Sequence, residues 1–288
     1  MYNAAVKTDT NSRYTLKIVH DTDALDPREG NDNFSTLVCW HRRYDLGDKH
    51  DYNDGDDFFR ALVRENYSEK AVFEYVKEGR SDSLTLEYNA STHEWELKEY
   101  DDYFKKWFDC GSYTPPLIEN SGILCDDIIE NMTTKDLKLF AEEKHLIEPL
   151  YLYDHTIQSI SMRSFHGRAH HADWDSGVVG FAYVSHEDIS KEYGDTSPEN
   201  IEKARQLMSA EVETYDCYIR GECYGFQLFR DGEEVDSCWG FLGSFDEALE
   251  GIREYLPEDA VPLVESTAYG DDDPEYEPGD EEYQEEIE

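Results

Sequence analysis

The sequence is poor in positive charge. Only 26 lysines and arginines stand against 67 aspartates and glutamates, a formal net charge of −41 over 288 residues. A direct grip on nucleic acid needs clustered Lys and Arg. The most basic spot here is His41-Arg42-Arg43, which is too little. Anionic membrane surfaces would repel such a chain. No run of about 18 apolar residues is present, so no spanning helix is expected. Met1 to Asp9 has neither the basic flank nor the apolar centre of a secretory signal, which points to a cytoplasmic protein.

Catalytic signatures are also missing. There is no G-x-S-x-G elbow, no G-x-x-x-x-G-K-[ST] loop and no G-x-G-x-x-G turn. The six cysteines (Cys39, Cys110, Cys125, Cys217, Cys223 and Cys238) form no C-x-x-C pair. Reduced, mostly buried thiols are expected. Cys39 lies two residues from His41 in an apparent strand, where such residues share a face. A buried cysteine beside a satisfied histidine is the expectation there, not a dyad. The acidic run 51–57 (DYNDGDD) fails as a calcium loop: with Gly55 at position 6, positions 1, 3 and 12 become His50, Tyr52 and Ala61. No cofactor is expected, and the chain reads as a non-enzyme. The alternative is a metal-dependent enzyme built on His166, His170, His171 and Asp173, because His-x₃-His can set two ligands on one helix face. Gly167 and the polar surroundings favour a solvated loop instead.

What the chain has is aromatic and apolar residues enough for a core: 39% hydrophobic, 14% aromatic, 21 tyrosines. Strands are expected at 14–20 and 35–41, helices at 58–66 and 68–79, and a hairpin at 83–88 and 93–99. A loop is expected over 109–122, interrupted by Pro115-Pro116, then a helix over 134–145 and one or two strands in 147–163. The strand 177–184 leads to Ser185, an N-cap for a helix ending at Gly194. Ser197-Pro198-Glu199 opens a longer helix with an apolar stripe at Ile201, Ala204, Leu207, Met208, Val212 and Tyr215. Asp231-Gly232 marks a hairpin. Pairing outward from it sets Leu228 against Val235, Phe226 against Ser237 and Tyr224 against Trp239. Ser244-x-x-Glu247 is a capping box for a helix over 245–255. The fold class is therefore α+β, with antiparallel sheets built from hairpins and packed helices, and an acidic C-terminal tail expected to be disordered. Division into 1–115, 116–270 and the tail 271–288 is expected.

Eleven acids belong to that tail, which leaves −30 on residues 1–270. From Gln206 to Glu288 there are 26 acids against Arg220, Arg230 and Arg253. So much like charge costs stability by self-repulsion. Either a function or a saline environment must offset it.

Three blocks occur together: LVCWHRRYDLGDKH (37–50), DWDSGVVGFAYVSHEDISKEYG (173–194) and GEEVDSCWGFLGS (232–244). As a set they resemble a widespread family of uncharacterised proteins carried by bacterial phages and plasmids. The resemblance implies a mobile-element gene acting in a host cell, and it carries over no catalytic residue.

The expectation that follows is an acidic inhibitor. It would mimic nucleic acid on a basic host DNA-binding defence protein, such as a nuclease or a restriction- or CRISPR-type complex, by protein–protein contact. The candidate partner-binding residues are the outward acids Glu202, Glu211, Glu213, Glu233, Glu234, Asp236, Glu247, Glu250 and Glu254. No direct nucleic-acid or membrane partner is expected, and a homo-oligomer is compatible with the sequence. The competing reading without mimicry is an acidic halophile or phage accessory protein.

Overall fold

The computed structural model describes residues 6–8, 14–30, 32–114, 121–155, 157–169 and 171–265. Along the chain run β1 (Val6–Thr8), β2 (Tyr14–His20), β3 (Thr36–Cys39), α1 (Gly55–Asn66), α2 (Glu69–Lys77), β4 (Leu84–Asn89), β5 (Glu94–Asp101) and β6 (Lys106–Tyr113). Then follow α3 (Ser121–Asn131), α4 (Thr134–Ala141), β7 (His145–Asp154), β8 (Gln158–Ser161), α5 (Ala172–Asp175), β9 (Ser176–Ser185) and α6 (His186–Tyr193). The last elements are α7 (Pro198–Arg220), β10 (Cys223–Arg230), β11 (Glu233–Leu242), α8 (Phe245–Arg253) and α9 (Val261–Glu265). Every strand pairing among the described residues is antiparallel, and the protein is α+β. Among the described residues no helix is long and apolar enough to cross a membrane. The tail 271–288 and Pro115-Pro116 lie outside the described residues.

A four-stranded sheet in the order β3-β9-β7-β8 forms the centre. Its strands are apolar on both faces because both are covered. On one face Leu37, Leu146, Leu150, Val179 and Ala182 meet the stripe Ala204, Met208, Val212 and Tyr215 of α7. On the other, Val38, Ile147, Phe181 and Tyr183 meet Phe58, Phe59, Leu62 and Phe140 of α1 and α4. The meander β4-β5-β6 closes the far side of that helical layer through Leu84, Leu86 and Leu97. Helix starts follow their caps: Asp54, Ser68, Thr133, Ser185 and Ser244 each accept from the backbone N–H three residues on. Each such cap contributes about 1 kcal/mol.

The second four-stranded sheet, β1-β2-β10-β11, joins the two ends of the described chain. Tyr14, Leu16, Ile18, Tyr224, Phe226 and Leu228 pack against Ala248, Leu249, Ile252, Leu263 and Val264 of α8 and α9. Chain order and spatial units therefore do not coincide. β2 pairs with β10 and β3 with β9, so both four-stranded sheets draw strands from either side of residue 115. The sheets thus run across the expected boundary at 115/116: β3-β9-β7-β8 and the meander lie within residues 36–220, and the other sheet is built from the two ends of the described chain.

Two local expectations are also corrected. The segment from 109, read as loop, continues β6 to Tyr113. It is an edge strand, exposed along most of its length, so it lacks the alternation that betrays a half-buried strand. The hairpin register also differs. The turn holds Arg230 against Glu233 and Phe229 against Glu234, but Leu228 then faces Asp236 and Phe226 faces Cys238. Val235 is an extra residue, a β-bulge. A second bulge, at Trp239-Gly240, brings Tyr224 against Phe241. Gly240 takes φ +87° there.

Candidate functional site

The C-terminal unit is where charge is least compensated. Between Gly221 and Glu265 there are twelve acids and only Arg230 and Arg253. α8 buries Ala248, Leu249 and Ile252 and turns Asp246, Glu247 and Glu250 to solvent; its C-cap Glu254 is exposed as well. Asp246, Glu250 and Glu254 recur every four residues, so they form a ridge with steps of about 6 Å along the axis. DNA carries one phosphate per ~3.4 Å of axis on each strand. The ridge alone thus has roughly half that linear charge density. Exposed Glu233, Glu234 and Asp236 of β11 add to it on the same unit. Glu247 closes the capping box with Ser244. Hydrogen bonds from the Ser244 hydroxyl and N–H hold its carboxyl below the usual range, so it stays charged.

The other candidate acids divide. Exposed Glu202 is neutralised by Arg205 at 2.6 Å. Exposed Glu213 accepts from the Ser209 hydroxyl at 2.8 Å. Glu211 is not an outward acid. Its carboxylate accepts from the N–H groups of Phe34 and Ser35, at 2.6 and 2.9 Å, and from the Ser35 hydroxyl. Its side chain is only 14% exposed and lies 3.7 Å from Arg28 Nη1. It fastens α7 to the loop before β3, so a partner cannot use it without opening that joint.

Arg28 itself is buried, paired with Asp48 and donating to the Ser35 carbonyl at 2.6 Å. Beside it the segment 37–50 wraps a cavity of about 1000 Å³. Four of its charges are paired, Arg28 with Asp48 and Lys49 with Glu29, while Asp26, Arg42 and Asp45 also line it. Burial pushes the Cys39 thiol up to about 12, so it is not a nucleophile at neutral pH. His41 stacks flat on Tyr44, 4.8 Å between centroids. A Cys39–His41 dyad has no support in this geometry.

His166 binds Asp173 at 2.7 Å and His155 binds Asp175 at 2.9 Å, both on the surface. His171 lies outside the regular helix, as the left-handed residue preceding α5. His170 lies outside the described residues. Among the described residues no group of three or more His, Cys, Asp or Glu is placed to hold a metal ion.

Sequence reasoning missed two features. One is the exposed aromatic tip of the β5–β6 hairpin, with Tyr103, Phe104, Trp107 and Phe108 between 45% and 88% exposed. The other is a cleft between β11 and the turn after α8, lined by Leu228, Val235, Asp236, Tyr255 and Pro257 among others. The glycine of Trp239-Gly240 inside a strand pattern signals the nearby bulge; nothing comparable marks the one at Val235. Comparison with family models, curated proteins and solved structures finds no match for the chain.

Proposed function

We propose that this chain is an acidic, non-catalytic protein that docks on the basic nucleic-acid-binding surface of a partner. Its carboxylates stand in for a DNA backbone. The partner in this reading is a host nuclease or a restriction- or CRISPR-type defence complex in a bacterial cytoplasm. The resemblance of the three sequence blocks to phage and plasmid proteins supports that setting.

The observation that carries the proposal is the surface of the C-terminal unit. Acids on α8 and β11 are exposed, mounted on regular elements, and not ion-paired among the described residues. Rigid mounting matters because a flexible acidic segment must be ordered on binding, at an entropic cost. Surface charge that is not neutralised internally steers a basic partner and speeds association at low salt.

The test is displacement of a fluorescent DNA duplex from purified basic bacterial nucleases. The protein should release the duplex from at least one of them, with potency falling as salt rises from 50 to ~300 mM. Failure to displace duplex from any of them at low salt would remove the proposal.

A further inference from the structure

The cleft of the C-terminal unit has a volume of about 410 Å³. Its walls are apolar: Leu228, Val235, Tyr255 and Pro257. Two charged residues line it, Arg230 and Asp236. The bulge at Val235 is what brings Asp236 there. It sets Asp236 opposite Leu228, on the helix-facing side of the sheet, where an unbulged hairpin would have put Val235. Bulges commonly re-aim a side chain at a site.

Asp236 has no cationic partner among the described residues. Its carboxylate accepts from the Ser237 N–H at 2.9 Å. Arg230 does not neutralise it: that guanidinium lies over the Tyr14 ring, 5.8 Å from its centroid, and 3.9 Å from Asp231. Tyr255 is 57% exposed and packs at right angles to Phe241, 5.5 Å between centroids. More than half of its surface is therefore open to an incoming group. Exposed Glu233, Glu254, Glu258 and Asp259 flank the cleft in sequence.

The occupant follows from this chemistry. A purely apolar side chain would desolvate the Asp236 carboxylate without compensation. An anion would meet that carboxylate with only Arg230 to offset it, a guanidinium already turned to Asp231 and the Tyr14 ring. A cation on an aliphatic stem satisfies both the walls and the charge. A planar guanidinium can in addition stack on Tyr255, which an ammonium does less well. We propose that the cleft receives an arginine side chain of the basic partner, its guanidinium bonded to Asp236 and stacked on Tyr255, its stem against Val235, Leu228 and Pro257. This inference rests on the reading of the chain as the binder of a basic protein. It names the point on the surface where such a partner is read rather than merely attracted.

Fluorescence anisotropy with labelled nona-arginine and nona-lysine peptides tests it. The wild-type chain should bind the arginine peptide about three- to five-fold more tightly than the lysine peptide at 150 mM salt. Tyr255→Ala should abolish that preference, and Tyr255→Phe, which keeps the ring, should retain it. Asp236→Asn should weaken arginine-peptide binding about five- to ten-fold. Glu250→Gln removes the same charge elsewhere on the unit and should weaken both peptides equally, by about two-fold. Circular dichroism and melting of each variant establish that it is folded. Equal binding of both peptides, with Asp236→Asn and Tyr255→Ala behaving like Glu250→Gln, would overturn the cleft and leave the basic-partner reading standing. Binding of neither peptide at 50 mM salt would overturn both.

Discussion

Arg28 and Asp48 face each other in a two-point ion pair, Nε to Oδ1 at 3.0 Å and Nη2 to Oδ2 at 2.7 Å. The pair is the hub of a joint. Asp48 also accepts from the Leu37 N–H at 2.7 Å, and Glu211 closes the far side over Phe34 and Ser35. Removing one partner of a buried charge pair typically costs about 3–5 kcal/mol, because the other charge is left uncompensated. Arg28→Met should therefore destabilise strongly in urea unfolding. Glu211→Ala should also destabilise, by orphaning the Phe34 and Ser35 N–H groups. It should leave peptide and partner binding unchanged under folding conditions, unlike substitutions on α8 or β11.

Trp239 lies on Gly225 so closely that a β-carbon there would fall 2.1 Å from its Cε3. Gly225→Ala must push the indole off the sheet. The expected cost is about 1–3 kcal/mol, read as a fall in melting temperature. Combining it with Trp239→Ala should recover part of that loss. Simple additivity of the two substitutions would contradict the contact.

The pH dependence has two opposed contributors. Burial raises Asp136, but hydrogen bonds from Ser81, Ser83 and the Asp82 N–H outweigh it and leave its pKa below the ordinary value. Its contribution is present above the ordinary aspartate range and lost as pH falls through the folded value. Asp216 and Glu222 are raised by burial, only partly opposed by the Ile160 N–H and Ser159 hydroxyl at Asp216 and by Arg220 beside both. Their contribution is full below the ordinary carboxylate range and lost as pH rises through their folded values. Urea unfolding should show stability falling as pH rises above that range, and Glu222→Gln should flatten the slope. An Asp136→Asn variant should lose the steep fall on the acid side.

Salt separates mimicry from salt adaptation. Four apolar clusters and the buried Arg28–Asp48 pair hold this fold, so it should persist in dilute buffer. Moderate salt should raise the melting temperature by screening self-repulsion. Unfolding at 20 mM salt with recovery only near ~1 M would favour the halophile account instead.

Most elements were legible because their signals are local. The stripe of α7, the Ser185 and Ser244 caps and the Asp231-Gly232 turn each need only a few neighbouring residues. α3 had a usable signal too, since Leu124, Cys125, Ile128 and Ile129 have the same spacing as the apolar face of α2. Long-range relations were not legible. Nothing near Glu211 says that its partners are 176 and 177 residues away at Ser35 and Phe34. The same holds for the pairing of β2 with β10, which depends on the whole chain. The bulge at Val235 shifts the register up to the second bulge, so Asp236, exposed as expected of it, also stands opposite Leu228 at the edge of a cleft.

The central claim is that the acids of α8 present a DNA-like surface. The most direct measurement is displacement of a labelled duplex from a susceptible basic nuclease by a triple variant, Asp246→Asn, Glu250→Gln and Glu254→Gln. Its control removes equal charge elsewhere, likewise not ion-paired among the described residues, by Glu65→Gln, Asp109→Asn and Glu192→Gln. The α8 variant should lose at least about ten-fold in potency while the control stays within about two-fold of wild type. Equal, small losses in both would mean that net charge alone acts, and would contradict the account.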